Sequence, residues 1–161
     1  MTTLYDPSPS DDIPVSTRVQ LVDEFATARP VKLIPVPAEN IDIALDSMKL
    51  NATQRNALKN SLTSSPDNDH SKPTLGWVEL WDFAAEDGDV VHISAAGYEL
   101  DYPIINTPTR FAIPIDATST VTISGVHDGG GGITLGIRSG AVDVFLPVIE
   151  PGQPLTVPIT F

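Results

Sequence analysis

The chain has 161 residues, room for one ordinary domain with an appendage, and its 41% hydrophobic and 19% charged residues describe a globular protein. A net charge of −12 repels phosphate backbones and anionic lipid, which excludes nucleic acid and membrane surfaces as expected partners and favours cations and basic protein surfaces. The absence of cysteine excludes disulfides, thiolate nucleophiles and Cys-based zinc sites, and 15 prolines tilt the expectation from helices toward strands and turns.

Residues 1–16 carry Pro7, Pro9 and Pro14 among Ser and Asp, too little apolar surface to offset ordering entropy, so a flexible or extended arm is expected there. The opening lacks the basic and apolar regions of a secretory leader, and no apolar run approaches a bilayer span. A soluble chain is expected, on a virion or an extracellular surface. Residues 17–74 form a second region. Its short apolar runs, Val19–Val22, Val31–Ile34 and Ile41–Leu45, are broken by Pro30, Pro35 and Pro37. Proline cannot donate to a ladder, so Val31 with Leu33, and Ile41 with Ile43 and Leu45, read as short edge strands. One helix is expected over 51–62, opened by a capping box of Asn51 and Gln54 and carrying Ala57, Leu58 and Leu62 as a narrow apolar stripe. The polar stretch 64–73, with His70, reads as a linker.

From residue 75 to 161 the period of two is regular: Phe111/Ile113/Ile115, Val121/Ile123, Ile133/Leu135/Ile137, Val142/Val144/Leu146/Val148 and Leu155/Val157/Ile159/Phe161. With Trp77–Phe83 and Asp89–Ala95 this makes about seven strands. The fold class expected is an all-β antiparallel sandwich, jelly-roll or immunoglobulin-like, preceded by the arm and the one short helix.

Two stretches stand out: Trp81-Asp82-Phe83-Ala84-Ala85-Glu86-Asp87-Gly88-Asp89-Val90-Val91, and Val126-His127-Asp128 followed by Gly129–Gly132 and Ile133-Thr134-Leu135-Gly136-Ile137. Together they resemble uncharacterised bacterial and phage-associated β-sandwich domains with a W-D-x-x-x-E-D-G-D-x-V motif and a glycine-rich hairpin. The resemblance spans 76–161, implies that fold, and is nearly silent on activity.

Read from the residues, Trp81–Val91 is a β-hairpin, with Gly88 supplying a positive φ and the Asp side chains capping backbone N–H groups. The sharper reading makes Asp82, Glu86, Asp87 and Asp89, with Asp128 contributing, hard oxygen ligands of Ca²⁺. The glycine run lacks the Lys and the following helix of a phosphate loop and reads as a turn. His92 and His127 are candidates for a metal pair across a sheet. Ser124, His127 and Asp128 share triad residue types without triad geometry or a nucleophile elbow.

The function expected is non-enzymatic: a structural or assembly module, such as an accessory component of a virion or phage particle. It would dock on a protein partner or a second copy through its arm and edge strands. The alternative is a carbohydrate- or surface-binding sandwich stabilised by calcium, with Trp77, Trp81, Tyr98 and Tyr102 as glycan-contact candidates.

Overall fold

The computed structural model describes residues 14–64, 73–84 and 87–161. Three helices, α1 (Val15–Ala28), α2 (Ile41–Ser47) and α3 (Ala52–Ser64), come first, with the two-residue strands β1 (Val31–Lys32) and β2 (Ile34–Pro35) between α1 and α2. Eight strands follow: β3 (Thr74–Asp82), β4 (Val90–Ala95), β5 (Tyr98–Pro103), β6 (Thr109–Ile115), β7 (Thr120–His127), β8 (Leu135–Ser139), β9 (Val142–Phe145) and β10 (Pro154–Thr160). The seven period-two runs each become a strand, and β5 is an addition. Among the described residues no helix is long and apolar enough to cross a membrane.

The strands form two sheets. The first has the order β1-β10-β7-β4-β5, antiparallel except for the parallel β1–β10 pair. In the second, β6 runs along one side of β3, while β2 and β8 share the other side and β9 lies beyond β8. The inward rows of both sheets, among them Val78, Leu80, Ile93, Ile113, Ile123, Ile137 and Val157, belong to one apolar core. The fold is thus mostly β, with two sheets sharing a core, and burial alternates most regularly along β4 and β7.

The region before Thr74 differs from expectation in three ways. First, Val31–Pro35 supplies a short strand at the end of each sheet, so the edge position is as expected, but the segment is divided between the sheets and its Val31 and Leu33 side chains are buried. Val31 pairs with Ile159 in the first sheet, Leu33 N–H donates to the Thr160 carbonyl at 2.9 Å, and Ile34 pairs with Trp77 in the second sheet. The chain changes sheets at Leu33, and both Val31 and Leu33 are at most 1% exposed. Second, Ile41–Leu45 is helical. Pro37 precedes a 3₁₀ turn, Ala38–Asn40, that leads into α2, and its fixed φ suits entry to a helix. Ala44 and Leu45 pack inward while Ile43 is 62% exposed. Third, Val19–Val22 lies inside α1, which buries Leu21 and Phe25 one turn apart and leaves Val15, Val19 and Val22 outward. Val15 and Ser16, expected in the arm, begin this helix; 1–13 and the linker residues 65–72, with His70, lie outside the described residues.

The capping box is formed as expected, though the helix runs two residues further: Gln54 N–H donates to Asn51 Oδ1 at 2.8 Å, and Asn51 N–H donates to Gln54 Oε1 at 3.1 Å. Lys59 and Arg55 of α3 pair with Asp42 and Asp46 of α2. In turn α2 covers part of the β6 edge, where Ser47 Oγ accepts from the Ala112 N–H at 2.9 Å, and the Tyr98 hydroxyl donates to the Met48 carbonyl at 2.6 Å. Phe25, Leu45, Met48 and Leu62 therefore share the core of the strands.

Candidate functional site

Two connections cross between the sheets side by side. The chain leaves β3 in the second sheet and enters β4 in the first through residues 83–89, and it returns from β7 to β8 through 128–134. Neither is the hairpin that its residues suggest. The turn signals are real, since Gly88 has φ 87° and Gly130, Gly131 and Gly132 all have positive φ, but they turn the chain between layers. The crossings touch backbone to backbone: a Cβ on Gly129 would collide with the Asp87 carbonyl.

At this contact Asp82, Asp87 and Asp89 converge, each offering a carboxylate oxygen within 4.8 Å of the others. Asp82 closes β3 and Asp89 precedes β4; they are 1% and 0% exposed. Asp82 Oδ1 accepts from the Thr134 hydroxyl at 2.7 Å and from Ala84 N–H at 2.9 Å. Its backbone is fixed as well, with Asp82 N–H donating to the Ile105 carbonyl and Asn106 Nδ2 donating to the Asp82 carbonyl. Asp89 Oδ1 accepts from Gly129 N–H at 2.8 Å, and its backbone carbonyl accepts from Ile104 N–H at 3.0 Å.

Asp89 Oδ2 and Asp87 Oδ1 are buried without a hydrogen-bond donor among the described residues. Burial, reinforced by the neighbouring Asp87, pushes the Asp89 carboxyl up to about 8. A buried anionic oxygen with no donor costs several kcal/mol unless a proton or a cation meets it. The donor set is all oxygen, which suits a hard cation. Oxygens bound to one Ca²⁺ at about 2.4 Å lie no more than about 4.8 Å apart, the spread seen here.

Of the other expected ligands, Glu86 lies outside the described residues. Asp128 stands apart from the cluster, its two oxygens accepting from Gly130 N–H and Gly132 N–H at 2.8 Å each, so it shapes the glycine loop. Thr134, fully buried, is the partner that sequence reading missed, because a threonine between Ile133 and Leu135 looks like the solvent-facing position of a strand.

His92 and His127 are not brought together. Both ring nitrogens of His92 are engaged on the neighbouring strand, Nδ1 with Asp101 at 2.6 Å and Nε2 with Glu99 at 2.9 Å. No hydrogen bond joins Ser124, His127 and Asp128 among the described residues. Of the aromatic candidates, Trp81, Tyr98 and Tyr102 are buried and Trp77 is half-buried. No family model matches the chain, and no curated protein or solved structure shows significant similarity to it.

Proposed function

We propose that this chain is a non-enzymatic β-sandwich module, built for docking or assembly, whose crossover end is clamped by a calcium ion held between Asp82, Asp87 and Asp89. The observation that carries this reading is Asp89 Oδ2, fully buried, without a donor among the described residues, and next to two further carboxylates. Repulsion between the three groups opposes folding, and a divalent cation turns it into attraction across the two crossings. A stabilising role is favoured over a catalytic one because the backbone of Asp82 and Asp89 is fixed by Ile104, Ile105 and Asn106, and the Asp89 side chain by Gly129 N–H.

The test is thermal unfolding in chelator and in graded Ca²⁺. Calcium at a hundredfold excess over its dissociation constant adds about 2.7 kcal/mol, a rise of about 5–10 °C for a domain of this size. Asp87→Asn with Asp89→Asn removes the rise. No change in melting temperature at millimolar Ca²⁺ overturns the proposal.

A further inference from the structure

A second cleft lies on the outer face of the second sheet and has the opposite electrostatic character. Trp77, Glu79 and Trp81 alternate with Val78, Leu80 and Asp82 along β3, so Trp77 points away from the core and from the aspartate cluster. Across β2 the register sets Ile34, 49% exposed, opposite Trp77, and Lys32 is outward two residues earlier. Lys32, Trp77, Glu79, Arg110 and Arg138 surround a cleft of about 220 Å³.

A chain with nine Lys and Arg and a net charge of −12 has placed three of those cations around one hollow. Their states differ. Arg138 is neutralised, with Nε 2.7 Å from Asp143 and a guanidinium nitrogen 3.7 Å from Glu79. Arg110 lies over the Trp77 ring at 4.2 Å from its centroid, and no described carboxylate pairs with it or with Lys32. Stacking fixes the plane of the Arg110 guanidinium while its N–H edges stay available, so little rotamer entropy remains to be lost on binding. Lys32 is held at its backbone, where its N–H donates to Ser139 Oγ at 2.8 Å and its carbonyl accepts from Gly140 N–H at 2.9 Å.

We infer that this cleft binds an acidic sugar residue. The ring carboxylate meets Arg110 and Lys32, the hydroxyls donate to Glu79, and the apolar edge of the ring lies along Ile34 and the margin of Trp77. A planar guanidinium beside an ammonium selects an oxyanion, and an acceptor carboxylate within the same hollow selects against a ligand that carries only negative charge. The hollow is smaller than the pockets that take drug-sized molecules, which suits a single ring. This site is independent of the calcium clamp.

The experiment uses the full chain, followed by calorimetry and by tryptophan fluorescence, with glucuronate, glucose, acetate and inorganic sulfate as probes. Glucuronate binds, glucose does not, and acetate and sulfate bind more weakly than glucuronate. Arg110→Gln and Lys32→Gln each weaken glucuronate binding by about tenfold or more, the loss of one charge-assisted contact, and leave the melting temperature in place. Added salt weakens binding in the parent protein and has less effect in either variant. The inference is overturned if glucuronate fails to bind, if acetate or sulfate binds as tightly as glucuronate, or if neither variant alters the affinity. Running each arm in chelator and in Ca²⁺ separates this result from the fate of the clamp.

Discussion

The Thr134 hydroxyl donates to Asp82 Oδ1 at 2.7 Å, both side chains buried, and so joins the end of the β7–β8 crossing to the end of β3. With the bond from Ala84 N–H, it orients the Asp82 carboxylate. Thr134→Val keeps the shape and removes the donor. The expected cost is about 1–3 kcal/mol, read by denaturant melts, because a buried carboxylate loses a partner. A variant as stable as the parent would show that Asp82 is oriented by other contacts.

Asp89→Asn separates the charge of the cluster from its packing. The amide oxygen still accepts from Gly129 N–H, while the ionisable group, which burial and then the neighbouring Asp87 push up to about 8, is gone. In chelator at pH 8 the variant is therefore at least as stable as the parent, and in Ca²⁺ it falls behind. Equal destabilisation in both buffers would assign Asp89 a purely structural role.

Leu33 and Ile43, which look alike in the sequence, part company in the fold. Leu33→Lys puts an ammonium where the chain changes sheets at 1% exposure, and circular dichroism should show an unfolded chain. Ile43→Lys falls on the open side of α2 and shifts stability by no more than about 0.5 kcal/mol. Survival of the Leu33 variant would mean that the crossing strand is dispensable.

His92 supplies a pH-dependent increment. Its hydrogen bonds to Asp101 and then to Glu99 raise its pKa above the usual 6.5. A raised histidine stabilises fully below its unfolded pKa, and the increment is lost as pH rises through the folded one. His92→Gln should thus cost more at pH 5.5 than at pH 9, by less than about 1 kcal/mol given the exposure of the pair. Equal cost at both pH values would rule out the ion pairs.

Apart from β5, the strands from Thr74 onward are legible because apolar residues recur at every second position along most of them, and that alternation points to a strand directly. The helices α1 and α2 were not. Leu21 and Phe25 hold one turn of spacing, but a valine at 15, 19 and 22 on the exposed side blurs the contrast. Ile41, Ile43 and Leu45 alternate by coincidence, the buried pair being Ala44 and Leu45. Pro30, Pro35 and Pro37 read in the sequence as obstacles to strands, whereas Pro37 stands at the entry of a helix. The aspartates were visible as a cluster, but hairpins and crossovers use the same turn residues, so nothing in the sequence brings Thr134 to Asp82.

The switch of sheets at Leu33 has a consequence for how the molecule is made. A chain that emerges from its N-terminus displays Val31 early, yet the strand that Val31 pairs with, ending at Thr160, is the last of the ten. Until β10 has been made, the segment that joins the two layers lacks its partner strand in the first sheet. Contacts of such long sequence separation form slowly and leave partly built chains prone to aggregate. The segment that laces the two sheets together therefore meets its partner strand late, and a nascent chain that stalls before β10 lacks the strand that Val31 pairs with.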